Sequence, residues 1–103
     1  MNISLDFDDT FTRDPNGWLS FVQLFRSRGH KVYCVTMRYP EEGQEVMEWL
    51  SEKVDHIYFT SRQAKKPFMY AAGIDIHVWI DDNPSFINCD ALPMIGMNDE
   101  NEN

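Results

Sequence analysis

An α/β domain, a parallel sheet of four or five strands layered with helices, is the fold class this sequence predicts. Three observations predict it. Short apolar runs alternate with stretches of helical spacing along most of the chain. Those runs are of the continuous kind that strands buried on both faces make. Three of them end abruptly in acidic or hydroxyl residues, which sets chemistry at one edge of the sheet, where such folds bind ligands.

The first run, Ile3-Ser4-Leu5, leads straight into Asp6-Phe7-Asp8-Asp9-Thr10. Residues two apart share a face of a strand, so Asp6 and Asp8 start on the same side. Asp14 then caps a helix with Pro15 at its first position. Trp18, Leu19, Phe21, Val22 and Phe25 form its inner stripe, and Gly29 closes it after Arg26 and Arg28. Residues 31–36 make the second strand, ending in Thr36. Pro40, Glu41 and Glu42 open a second helix, with Val46, Met47, Trp49, Leu50 and Val54 facing inward and Glu41, Glu45, Glu48 and Glu52 facing solvent. Residues 56–60 form the third strand, a polar loop runs through Lys66, and a short helix starts at Pro67 and is closed by Gly73. Residues 76–80 form the fourth strand, ending in Asp81-Asp82-Asn83-Pro84. A small edge strand is expected around residues 92–95. The expected domain is residues 1–97, with 98–103 an acidic polar tail expected to be disordered.

At 103 residues the chain forms one domain. No apolar run is long enough to span a bilayer and the start lacks a signal-peptide pattern, so the expected location is cytoplasmic, with no membrane partner. Cys34 and Cys89 have no metal-binding or redox spacing and are read as reduced and inert. A net charge of −8 argues against a protein that coats nucleic acid through its bulk field. Yet Arg13, Arg38, Arg62, Lys65 and Lys66, five of the nine basic residues, fall in loops at the acidic edge of the sheet. That distribution suits an anionic substrate. His30, His56 and His77 sit at strand starts, on the opposite edge, and are read as structural.

At the carboxyl edge the sequence gathers Asp6, Asp8, Thr36, Asp81, Asp82 and a lysine. Two carboxylates ~4 Å apart repel by about 4 kcal/mol at an effective dielectric near 20. Four of them call for a cation, and all-oxygen ligands suit a hard divalent ion, magnesium first.

In these residues the chain resembles the haloacid dehalogenase-like (HAD) phosphohydrolase superfamily over nearly its full length. Asp6-Phe7-Asp8-Asp9-Thr10 is similar to that family's Asp-x-Asp-x-Thr motif after a hydrophobic strand. Thr36 matches its second motif, Lys66 or Lys65 its third, and Asp81-Asp82 its fourth. The resemblance implies a three-layer Rossmann-like domain of the minimal, capless type. It implies a magnesium-dependent phosphomonoesterase in which Asp6 is the nucleophile that forms an aspartyl phosphate and Asp8 the general acid and base. Magnesium would be held by the Asp6 carboxylate, the Asp8 backbone carbonyl and Asp82, with Asp81 bound directly or through water. Thr36 and the lysine would hold phosphoryl oxygens. Lys66, which precedes Pro67 at a helix start, is preferred to Lys65 for that role. Thr10, Arg38 and Lys65 are assigned to substrate binding. The acid at Asp8 favours phosphoryl transfer over dehalogenation.

Residues 10–15 and 37–40 are too short to insert a cap domain, so the expected site is open. That leaves room for a large phosphorylated substrate, a nucleotide or a nucleic-acid end, and for an oligomeric partner acting as the cap. The competing reading is a catalytically idle HAD-like module that binds phosphate or regulates. A response-regulator receiver is set aside, because it needs an aspartate where the third strand ends in Thr60.

Overall fold

The computed structural model, which describes residues 1–91, arranges the predicted alternation as β1 (Asn2–Leu5), α1 (Pro15–Ser27), β2 (Lys31–Thr36), α2 (Gln44–Leu50), β3 (His56–Phe59), α3 (Lys65–Ala71), β4 (Val78–Ile80) and α4 (Ser85–Asn88). The four strands form one parallel sheet in the order β3-β2-β1-β4. Ile3 lies opposite both Val32 and Val78, and Cys34 opposite Ile57. The expected edge strand at residues 92–95 and the tail at 98–103 lie outside the described residues. Among the described residues no helix is long and apolar enough to cross a membrane.

Strand order determines which face each helix covers. The chain steps in one direction from β1 to β2 to β3, and right-handed crossovers put both intervening helices on the same face. It then returns past β1 to β4, and the same handedness puts α3 on the other face. The core divides accordingly. Ile3, Leu5, Val32 and Cys34 point toward Val22 of α1 and Val46 and Leu50 of α2, with Phe7 and Phe11 completing that layer. Val35 packs with Met69 of α3 and with Ile76 on the opposite face, flanked by Tyr33, Tyr58 and Trp79. Successive strand residues alternate between the two layers as the pleat requires.

Asp14 caps α1 as expected, its Oδ1 accepting from Gly17 N at 3.2 Å, with Pro15 in the first turn. The histidines stay at the amino edge. His77 Nδ1 accepts from Asn2 N at 2.8 Å, and His30 Nδ1 lies 2.9 Å from the amino terminus.

Several local expectations are corrected. The second helix is interrupted: Pro40–Glu42 is a 3-10 turn, and the α-helix starts only after Gly43. Met47 and Trp49, expected to face inward, are 44% and 40% exposed. In a seven-residue helix the buried line runs through Val46 and Leu50, four apart, and about 100° per residue turns Met47 and Trp49 off that line. Trp49 lies edge-on against Phe11, ring centroids 5.6 Å apart. The third helix starts at Lys65 rather than Pro67, because a proline fits anywhere in a first turn. The fourth strand starts at Val78 rather than residue 76, and the third ends at Phe59 rather than residue 60.

Gly43 is buried where α2 meets β3. A Cβ there would stand 2.4 Å from Phe59 Cζ and 3.0 Å from the Pro40 carbonyl oxygen. The ring is partly buried against the core and the carbonyl belongs to the 3-10 turn, so both must shift to make room. Gly43→Ala is therefore expected to destabilise the fold by about 1–3 kcal/mol, the usual cost of overpacking. Urea unfolding of the two proteins measures this, and an unchanged midpoint would show that the turn moves freely.

Candidate functional site

The chain leaves β1 toward β2 but enters β4 from the far side of the sheet, so the carboxyl ends of β1 and β4 flank a crevice. That reversal point is where open parallel sheets bind ligands. Asp6 follows β1, Asp81 and Asp82 follow β4, and Asp6 N donates to Ile80 O at 3.0 Å, joining the two strand ends.

Asp6 continues the parity of Asn2 and Ser4, toward the face that α3 covers. From the first turn of α3 the Lys65 side chain, 3% exposed, reaches back to the sheet. Its Nζ lies 2.9 Å from Asp6 Oδ1 and 2.5 Å from Asp81 Oδ2. Thr10 joins the remaining acids. Its Oγ1 accepts from Asp82 N at 3.1 Å and lies 3.1 Å from Asp6 Oδ2 and 3.3 Å from Asp82 Oδ1. A hydroxyl has one proton, so Thr10 serves one of these carboxylates at a time. Asp81 also accepts from Asn83 N at 3.0 Å through its other oxygen, an Asx turn that orients it.

Burial dominates the electrostatics. It raises the Asp6 carboxyl from 3.8 to about 7, opposed by the Lys65 ammonium and reinforced by Asp82 and Asp81. For Lys65, burial favours the neutral amine, but Asp6 and Asp81 together outweigh it and hold its pKa above the ordinary lysine value. Asp6, Asp81 and Asp82 each offer an oxygen, all within 4.8 Å of one another. Three carboxylates against one ammonium leave a formal charge of −2. These residues fit a hard cation with oxygen ligands. The Asp8 carboxylate does not join them.

Asp8 goes elsewhere. The strand ends at Leu5 and the chain winds into a turn, with Phe11 N bonded to Asp6 O and Thr12 N to Phe7 O, so period-two alternation stops applying. Asp8 swings out to Arg38, whose Nε and Nη2 donate to its two oxygens at 3.0 and 2.7 Å. Asp6 and Asp8, expected on one side, thus have different partners, although both line a cavity of about 180 Å³ with Thr36, Lys65, Asp81 and Asp82. Thr36 is buried there and its Oγ1 accepts from Arg38 N at 3.3 Å.

The expected basic rim is largely engaged within the chain. Arg38 binds Asp8, the Glu42 carbonyl and Glu45. Arg62 donates through both N and Nη1 to Met37 O and stacks on Tyr39. Arg13 Nε donates to Asp9 O at 3.2 Å. Lys66, preferred for the phosphate role, is exposed and lines a different cleft beside Tyr70 and Trp79, while Lys65 reaches the aspartates. Adjacent helical residues point about 100° apart, so only one of the two can face the sheet edge.

Asp90 had no expected role. Its Oδ1 accepts from Ala64 N at 2.6 Å, and Ala91 N donates to Arg62 O at 2.8 Å. Together these fasten the loop that delivers Lys65, in which Ser61 and Arg62 both adopt left-handed backbone. A single acid 26 residues away carries no local pattern that would reveal such a contact. Among the described residues, a wider cleft of about 850 Å³ beside Tyr58 and Phe68 brings in Asp90 as its one carboxylate.

No protein-family model, curated protein or solved structure matches the chain.

Removing Lys65 leaves buried carboxylates without their partner. Lys65→Met is expected to cost on the order of 3–5 kcal/mol, and Lys66→Met to stay within about 0.5 kcal/mol. Equal effects in chemical denaturation would mean that the lysines had been assigned the wrong way round. The pH dependence has a definite sign. With its pKa raised, folded Asp6 binds protons that the unfolded chain releases, so its contribution to stability is complete below about pH 4 and is lost as pH rises through about 7. In metal-free buffer Asp6→Asn should flatten that part of the stability profile, and an unaltered slope would place the proton on another group.

Proposed function

We propose that the chain is a magnesium-dependent phosphohydrolase of the HAD-like type that cleaves phosphate monoesters through an aspartyl phosphate on Asp6. One observation carries this reading. Asp6, Asp81 and Asp82 come within 4.8 Å of one another at the reversal point of a parallel sheet, with Lys65 bound to two of them. The fold, the edge and the order of these residues along the chain all agree with the motif resemblance.

In this reading Asp6, Asp81 and Asp82 would hold the magnesium, which would supply charge neutralisation for the carboxylates and the phosphoryl group. An Asp6 oxygen attacks phosphorus, the bond to the leaving oxygen breaks, and that oxygen takes a proton from Asp8. Asp8 then removes a proton from water. The resulting oxygen nucleophile attacks the same phosphorus, releasing inorganic phosphate and restoring the Asp6 carboxylate. Attack requires ionised Asp6, and a nearby cation favours that form against the burial that raises its pKa. Lys65 neutralises charge and Thr36 orients phosphoryl oxygens. The cavity of about 180 Å³ is below the range of drug-sized pockets and suits a phosphoryl group whose remainder lies outside. That supports a substrate larger than the site, such as a phosphorylated macromolecule or a nucleotide.

A second reading has its own observation. The two acids assigned to chemistry are already engaged inside the chain, Asp6 by Lys65 and Asp8 by Arg38. A phosphate-binding or regulatory module with no turnover would look the same.

Turnover separates the two. The chain is expected to hydrolyse an aryl phosphate only with magnesium, to stop on chelation, and to lose at least about a hundredfold of its rate in Asp6→Asn while remaining folded. Metal-independent activity, or full activity in Asp6→Asn, would sink the mechanism. Millimolar magnesium should also raise the melting temperature, and more so at pH 8 than at pH 5, because protonated Asp6 must release a proton to bind metal. No shift at either pH would remove the metal from the proposal.

A further inference from the structure

We propose that Arg38 is a positioning residue, a fixed guanidinium that holds the Asp8 carboxylate in one orientation over the site. This rests on the phosphohydrolase reading for Asp8's role, but the pairing itself stands on geometry. Arg38 contacts both Asp8 oxygens in a fork, 3.0 and 2.7 Å. Such bidentate pairs fix direction as well as distance.

The arginine is the anchored member of the pair. Its Nη1 donates to the Glu42 carbonyl at 2.8 Å, its Nη2 lies 3.3 Å from Glu45 Oε1, and its guanidinium carbon stands 5.1 Å above the centre of the Phe7 ring. Phe7 is fully buried and stacked on Phe11, which meets Trp49 edge-on. Arg38 N also donates to Thr36 Oγ1, tying the arginine's backbone to the end of β2. The Arg38 side chain is 22% exposed and that of Asp8 is 52% exposed. Asp8 sits in a turn, followed by Asp9 in left-handed backbone, and would have several rotamers open without the fork. An arginine two residues beyond Thr36 was expected to meet substrate. The structure turns it toward Asp8 instead, and it does not line the cavity that Asp8 lines.

When Asp8 acts as the acid, one of its oxygens carries the proton that the leaving oxygen takes and the other keeps its hydrogen bond to Arg38, so the acid stays aimed. This matters most where the leaving group is poor. An alkoxide needs a proton as it departs, whereas a nitrophenolate leaves without one. Arg38→Met is expected to slow hydrolysis of an alkyl phosphate by about tenfold to a hundredfold, and of p-nitrophenyl phosphate far less. In an Asp8→Asn background the same substitution should add almost nothing, because the residue it positions has lost its function. Arg38→Lys keeps the charge and loses the fork, so it should share the defect with little loss of stability. Equal losses on both substrates, or a full additional loss in Asp8→Asn, would show that Arg38 contacts substrate directly and overturn the proposal. Crystal structures of Arg38→Met and Arg38→Lys decide the geometry without any turnover. Asp8 displaced from its native rotamer supports the proposal, and Asp8 unmoved in both refutes it. If the wild-type protein shows no turnover, the phosphohydrolase reading fails while the crystallographic result still decides the pairing.

Discussion

The Lys65 ammonium lies between Asp6 and Asp81, and much of the carboxyl edge is arranged around that contact. Two carboxylates from adjacent strands would otherwise repel in a poorly solvated crevice. A lysine carried on the first turn of α3 allows both to be buried while β1 and β4 stay paired. The loop before it is held in uncommon backbone at Ser61 and Arg62, and Asp90 and Ala91 fasten it from the other side. Buried ion pairs often add little net stability over an apolar alternative. This one stands at the reversal point of the sheet, the place where open parallel sheets bind ligands.

Around that pair the acids have separate surroundings. Asp6 is buried and its pKa is raised toward neutrality by desolvation. Asp8, two residues on, is half exposed and held by an arginine. The two acids of one short segment thus differ in burial and in the charge each one meets. The Phe7 side chain between them drives into the opposite layer of the core, which separates the two aspartates. One short segment thus supplies a core anchor and two distinct carboxylates.

The fold was legible because its signals are local. Apolar runs of strand length, the stripe from Trp18 to Phe25 and the Asp14-Pro15 helix start each depend on residues a few positions apart. The placement of Asp6, Thr36, Asp81 and Asp82 at the carboxyl edge was legible for the same reason, since each directly follows or ends a run. Expectations failed where a short element had little pattern to read. In α2, seven residues long, two large apolar side chains fell off the buried line. In α3 the proline suggested a start that the helix places two residues earlier.

By itself, then, the sequence determined the alternation of strands and helices, and which residues stand at the carboxyl edge of the sheet. Strand order, and with it the reversal point between β1 and β4, came from the tertiary structure. So did the partner of each charge: Lys65 rather than Lys66 for Asp6, 59 residues apart, and Arg38 for Asp8, 30 residues apart. The reason is physical. Periodicity and capping act within a few residues of chain, whereas an ion pair forms where folded elements meet, and a rotation of 100° along one helical turn decides which of two neighbouring lysines arrives.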